Sequence, residues 1–317
     1  MSTQDSNADY RRFCATAPDD FPVFMQDWYL DAVCEGGTWQ VAISEKHGQI
    51  VGVWPYFLKK KGIWRYIAMP KMGKLMGPYV LPAHRKISSE TRILQDLITR
   101  LPKGLAAFEQ DCNYSFQNWM PMYWQGFSQT TRYSYTIDLT SPPEALWAGM
   151  DSDYRRKIKI AQENLVVRHD PSIQDLYDVC MLSFTRQNLK IPFSFDYFNK
   201  IYMAFEAHHA CEKFFALDKK SGKIYSAGYL VWDKNKAYGY MGGDDPEFRS
   251  SGSGLLLVWE RMKYAQEILQ LPTFDFMGSM LKNIEPSRRY FGAVQQPYFR
   301  LQREWSPLWK WGKSLLR

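Results

Sequence analysis

The 317 residues are 45% hydrophobic and 16% aromatic, enough for one large core or two ordinary ones and too much for a disordered chain. A net charge of +7 favours anionic partners; in residues 281–317, Lys282, Arg288, Arg289, Arg300, Arg303, Lys310, Lys313 and Arg317 meet only Glu285 and Glu304. Five scattered cysteines without a CxxC pair or Cys/His cluster argue against zinc and a disulfide framework.

No run of 18 apolar residues is present, and "MSTQDSNADYRRF" lacks the apolar stretch of a signal peptide, so the expected location is the cytoplasm. After this polar tail, residues 21–34 read as a helix. Residues 39–70 alternate and break at His47-Gly48 and Lys61-Gly62, as an antiparallel meander with tight turns does. Residues 87–101 follow a helical period, with Ser88 or Ser89 as N-cap candidate. Strands are expected at 105–112 and 133–139.

At Ser141 the pattern restarts. A Ser-Pro start opens one amphipathic helix to Asn164, with Arg155, Arg156, Lys157 and Lys159 interleaved. Helices over 172–187 and 194–208 lead to strands at 213–220, 224–233 and 236–243. A Gly-rich turn, a helix, a strand at 273–279 and a last strand at 298–305 follow. The order helix, meander, helix, strand occurs twice. It predicts an α+β protein of two similar units, 1–135 and 136–317, with mixed, mostly antiparallel sheets flanked by helices.

Between the strand at 236–243 and its helix lies Arg249-Ser250-Ser251-Gly252-Ser253-Gly254, an R-x-x-G-x-G run. Glycines admit a ligand close to the backbone, and the free N–H groups of a helix start stabilise a diphosphate. The same residues also make a plain tight turn and N-cap, and the six-residue pattern alone favours that use.

With "LWAGMDSDYRRKIKIAQE", "GYMGGDDPEFRSSGSGLLLVWERMKYA", "FDFMGS" and "SRRYFGA", the second half resembles the GNAT-type N-acyltransferases. More closely it resembles their Fem-type branch, which includes aminoacyl-tRNA-dependent peptidyltransferases of cell-wall bridges and polysaccharide-locus acyltransferases. "FMQDWYLDAV" and "VGVWPYFLKK" look like that branch's N-terminal unit. The resemblance implies tandem GNAT-like domains with the active cleft in the second. It implies acyl-CoA or aminoacyl-tRNA as a diffusing donor, no tightly bound cofactor, no metal, and an amine-bearing envelope precursor as acceptor, with no DNA partner. The donor diphosphate would rest on Arg249 to Gly254.

The chain departs from the family in having Ser287-Arg288 where Phe-Lys is common, and no segment for a coiled-coil arm. Arg288 keeps the cation but cannot relay a proton near neutral pH, so its expected role is to stabilise developing negative charge. Asp275 is expected either to orient or deprotonate the acceptor amine or to cap the following turn. Tyr240 is a candidate substrate hydrogen-bonder or a buried structural tyrosine. Arg186 and Tyr197 fall where the family contacts its anionic acceptor, and Asp244-Asp245 reads as a solvated turn. In "EWSPLWKWGKSLLR", Trp305, Leu308, Trp309, Leu315 and Leu316 recur at helical spacing. That face packs on its own domain or anchors peripherally at a membrane. A catalytically silent binding protein of the same fold is the competing reading.

Overall fold

A computed structural model describes residues 3–186, 190–278 and 280–309. The chain forms two compact units, one of Met1–Arg132 with Pro297–Arg317 and one of Tyr133–Gln296.

The first unit begins with helix α1 (Thr3–Ala15), where the sequence reading expects a tail. Tyr10, Phe13 and Cys14 fall at i, i+3 and i+4 and are buried, with Tyr10 and Phe13 against Phe21. Two turns of polar residues around them hide the stripe. Helix α2 (Asp27–Val33) leads into the meander β1 (Thr38–Lys46), β2 (Gln49–Lys61) and β3 (Trp64–Ala68). Its turns form where expected: His47 and Gly48 have φ of +52° and +75°, and Gly62 has +56°, the left-handed values that tight hairpins need. Strand β4 (Tyr79–Val80) pairs with β2.

Helix α3 (Ile87–Thr99) has Lys86 at its N-cap and no side-chain cap, so Ser88 and Ser89 lie inside its first turn instead of before it. Its buried face is Ile93, Leu94 and Leu97. Gly52 of β2 makes room for it, since a Cβ there would stand 2.5 Å from Ile93 Cγ2. Strand β5 (Leu105–Asp111) returns parallel to β3. Short helix α4 (Met120–Trp124) precedes β6 (Ser128–Asp138), along which the chain enters the second unit.

There, α5 (Pro143–Gly149) and α6 (Ser152–Asn164) replace the single expected helix. Met150 is extended, and Asp151 caps α6 by accepting the Asp153 N–H at 2.9 Å; a capping aspartate starts a new helix more readily than it continues one. Strand β7 (Leu165–Arg168) and helices α7 (Ile173–Arg186) and α8 (Phe195–Ala207) come next. The meander β8 (Cys211–Asp218), β9 (Ile224–Trp232) and β10 (Lys236–Asp244) is antiparallel. Helix α9 (Ser253–Lys263) continues into a π-turn over Tyr264–Ile268.

Strand β11 (Thr273–Asp275) pairs parallel with β10 and antiparallel with β6, and stops short of the expected 273–279. After helix α10 (Glu285–Arg289), β12 (Val294–Glu304) ends in the first unit. Arg300 stands opposite Asp111 of β5 and holds its carboxylate at 2.6 and 2.8 Å. The expected boundary is therefore corrected: residues from 297 belong with the first unit, because strand pairing outweighs adjacency in sequence. Trp309 packs on Tyr66 with ring centroids 4.7 Å apart, so this part of the tail face is covered by protein. Leu315 and Leu316 lie outside the described residues. Among the described residues, no helix is long and apolar enough to cross a membrane.

Candidate active site

Strands β10 and β11 run paired only as far as Tyr238 and Asp275. The β10–β9 register shifts between Gly239 and Met241, a bulge that bends β10 at this point. A cavity of about 620 Å³ opens here, within the second unit.

One wall is the start of α9. Arg249, Ser250, Gly252 and Gly254 line the cavity, while Ser251 Oγ accepts the Ser253 N–H at 3.2 Å and steadies the turn. Asp245 caps the preceding 3-10 turn by accepting the Glu247 N–H, and the chain enters α9 through Gly252 at φ +79°. The glycines serve the protein's own packing as well as any ligand's approach. A Cβ on Gly252 would stand 2.8 Å from the Lys157 carbonyl oxygen of α6, and one on Gly254 would stand 2.5 Å from Asp244 Oδ1. Asp244 is not the solvated turn residue expected. It lines the cavity, and its Oδ1 accepts from Ser226 Oγ at 2.7 Å, which is bonded in turn to the buried Ser253 Oγ. The helix dipole favours a carboxylate at this end.

The floor holds a residue that sequence reasoning missed. Arg261 is only 7% exposed. Its Nε donates to the Leu257 carbonyl at 3.1 Å and its Nη1 to the Met241 carbonyl at 3.4 Å. Glycines on the sheet give it space, since a Cβ on Gly228 would stand 3.1 Å from its Cζ. The available signal was its place four residues after Leu257 and four before Ala265, on the buried stripe of the helix. Arg288, in α10, also lines the cavity and lies over the Phe276 ring, its Cζ 5.1 Å from the centroid. Its Nε is buried without a hydrogen-bond partner. Burial, then repulsion from Arg288, push Arg261 down to about 10, and burial lowers Arg288 as well.

Four expected site residues lie elsewhere. Asp275 is fully buried; its Oδ1 accepts from Ser134 Oγ and from the Met277 N–H at 2.8 Å, holding the turn through Met277 and Gly278 at φ +58° and +77°. It is the capping aspartate. Tyr240 faces α8, packed edge-on against Phe205 and Tyr229 at 5.7 and 5.3 Å. Arg186 is exposed at the end of α7, and Tyr197 is buried beside Phe193; neither lines the cavity.

Residues 149–291 match the acetyltransferase (GNAT) domain family, a span that contains the whole cavity lining. The fold is similar to FemX, with TM-score 0.68 and 12% identity over 94% of this chain and 96% of that one. A tandem GNAT protein from the clavulanic acid biosynthesis pathway is similar too, with TM-score 0.59 and 9% identity over 96% of both chains. So is the C-terminal domain of a putative lysylphosphatidylglycerol synthetase from Agrobacterium fabrum, with TM-score 0.57 and 14% identity over 95% of this chain and 92% of that one. No curated protein matches the chain by sequence.

Proposed function

We propose that the chain performs N-acyl transfer, since residues 149–291 match the acetyltransferase (GNAT) domain family and the fold is similar to that of FemX. The acyl or aminoacyl group comes from acyl-CoA or aminoacyl-tRNA, and the acceptor is an amine on a cell-wall or polysaccharide precursor. One observation carries this reading: the R-x-x-G-x-G turn, the bulged β10 and Arg288 all open on a single cavity.

The donor's phosphate would lie against the backbone of Ser250 to Gly254, with exposed Arg249 as counter-ion. Its carbonyl would then reach the place where β10 and β11 part. The acceptor nitrogen attacks the carbonyl carbon; a C–N bond forms and the C–S or C–O bond to the carrier breaks. The proton lost by the amine passes, directly or through water, to the departing thiolate or alkoxide. Arg288 stabilises the oxygen on which negative charge develops. Attack is direct in this reading, and the step needs no covalent intermediate on the protein. Positioning supplies much of the remaining acceleration.

Thermal unfolding of the full chain with CoA, acyl-CoAs and aminoacyl-tRNA tests the reading. A donor at a hundred times its Kd adds about 2.7 kcal/mol of stability, so one class should raise the midpoint by several degrees. If no donor moves the midpoint, acyl transfer is abandoned for the silent binding protein.

A further inference from the structure

We infer that Arg261 and Arg288 form a subsite for a carboxylate inside the cavity, separate from the phosphate cradle, so that one substrate carries an acid beside its reacting group. The inference deepens the acyl-transfer reading and rests on it only for the identity of the molecule that bears the acid.

A guanidinium has five N–H donors and a charge, and burying it without partners is costly. Arg261 spends Nε and Nη1 on two backbone carbonyls and lines the cavity. Arg288 keeps a buried Nε unpaired. Neither makes an ion pair among the described residues. Burial first, and then repulsion between the two cations, lowers the affinity of Arg261 for its proton. An incoming anion removes all three penalties together: unmet donors, unmet charge and mutual repulsion.

The surrounding backbone is shaped for that guanidinium. Gly228, Gly239 and Gly242, on neighbouring strands, each face it, with a Cβ falling 3.1 to 3.9 Å from its atoms. Side chains there would press on Arg261 and fill the space before it. Arg261 branches from α9 eight residues after Ser253 and folds back one turn to the Leu257 carbonyl, which lies four residues, about 6 Å, along the axis from the cradle end. Asp244, hydrogen-bonded to Ser226 at the cradle end, attracts the Arg261 charge but forms no ion pair with it, so it offsets that charge only in part.

Planar guanidinium forks match carboxylates in bidentate geometry. The same pair disfavours a cationic group at this point, so a protonated aminoacyl donor is penalised relative to a neutral or acidic acyl group. The acid sits either on the acyl group, as in a dicarboxylic thioester, or on the acceptor, as in an amino acid.

The test is NMR of the Nε–H signals in ¹⁵N-arginine-labelled full chain, assigned with Arg261→Lys and Arg288→Lys. Acetate and succinate are titrated at constant ionic strength against chloride. Saturable shifts of both signals, with Kd on the order of millimolar, are expected, weakened tenfold or more in Arg261→Leu. Shifts no larger than the chloride control in the parent protein would overturn the subsite, whatever the variants do. Succinyl-CoA acting where acetyl-CoA does not puts the acid on the acyl group; glutamate acting where butylamine does not puts it on the acceptor. Donor stabilisation without any carboxylate response would sink the subsite and spare acyl transfer. A carboxylate response without donor stabilisation would do the reverse.

Discussion

Each unit lays a helix against the middle strand of its meander, and each uses a glycine in that strand to let the helix come close. In the first unit Gly52 of β2 receives Ile93 of α3; in the second Gly228 of β9 receives Arg261 of α9. Around Ile93 the neighbours are Leu94, Leu97, Trp54 and Phe108, a closed apolar core. Around Arg261 they are further glycines, Met241 and a cavity. The same close approach thus seals one unit and opens the other. What differs is a single charge on the buried stripe of the helix and the small residues that accommodate it.

The sharpest way to break the comparison is to make the second unit like the first. Arg261→Leu removes a buried cation that lacks a carboxylate partner. An apolar replacement removes the desolvation cost of that charge, so the thermal midpoint should hold or rise. Losing one partner of a buried charge pair with substrate costs about 2–5 kcal/mol, so kcat/KM should fall by about a hundredfold or more. A lowered midpoint with parental kcat/KM would make Arg261 a structural residue and remove the contrast between the units.

The glycines sharpen it further. Gly52→Ala drives a Cβ to 2.5 Å from Ile93 in a closed core, so unfolding in urea should show a loss of about 1–3 kcal/mol, with activity per folded molecule unchanged. Gly228→Ala meets only a guanidinium, at 3.1 Å, with open space beyond. Arg261 can move a few tenths of an ångström, so stability should change by less than about 1 kcal/mol while kcat/KM falls. Equal stability losses in the two variants would show that the second site is packed as tightly as the first.

Much of this architecture was legible because its signals are local. Glycine-bearing hairpin turns at 48 and 62 and apolar helical periods depend on a few neighbouring residues. The exchange of β12 was not legible, since its pairing with β5 links residues nearly two hundred apart in sequence. The strand at 236–243 was legible, but not which of its faces carries the cavity, nor the bulge between Gly239 and Met241 that interrupts its alternation. Arg261 was hidden because a charge in an amphipathic helix is ordinarily read as solvated. The cradle glycines were legible as glycines, yet their reason was partly misjudged. At Gly252 any side chain meets both a left-handed φ and the Lys157 carbonyl, so loss of donor binding in Gly252→Val would also report a displaced helix start.

Asp275 offers a smaller effect that separates turn from catalysis. As a cap, Asp275→Ala should cost about 1–3 kcal/mol through unmet buried donors at Ser134 and Met277. Turnover per folded molecule should stay within about threefold of the parent. A loss of turnover far beyond the loss of folded protein would return Asp275 to the reaction.

The smallest effect concerns pH and falls on the second unit. His169 sits at the sheet edge against the Phe214 ring, with Nδ1 2.8 Å from the Lys213 carbonyl and 3.7 Å from Glu212 Oε1. The Glu212 carboxylate beside it, then the Lys213 carbonyl against some burial, raises its affinity for a proton, and the Lys213 ammonium opposes this only in part. A histidine whose folded pKa is raised contributes stability that is full below its unfolded value, about 6.5. That contribution is lost as pH climbs from there through the folded value. The pair is part-exposed, so screening by solvent keeps its worth under about 1 kcal/mol. Urea unfolding of the parent and of His169→Gln between pH 5.5 and 8.5 should therefore converge at the alkaline end, with the parent ahead only on the acid side. Added salt should shrink the gap. If the two curves stay parallel across the range, the imidazole stabilises the second unit by ring packing on Phe214 and not by charge.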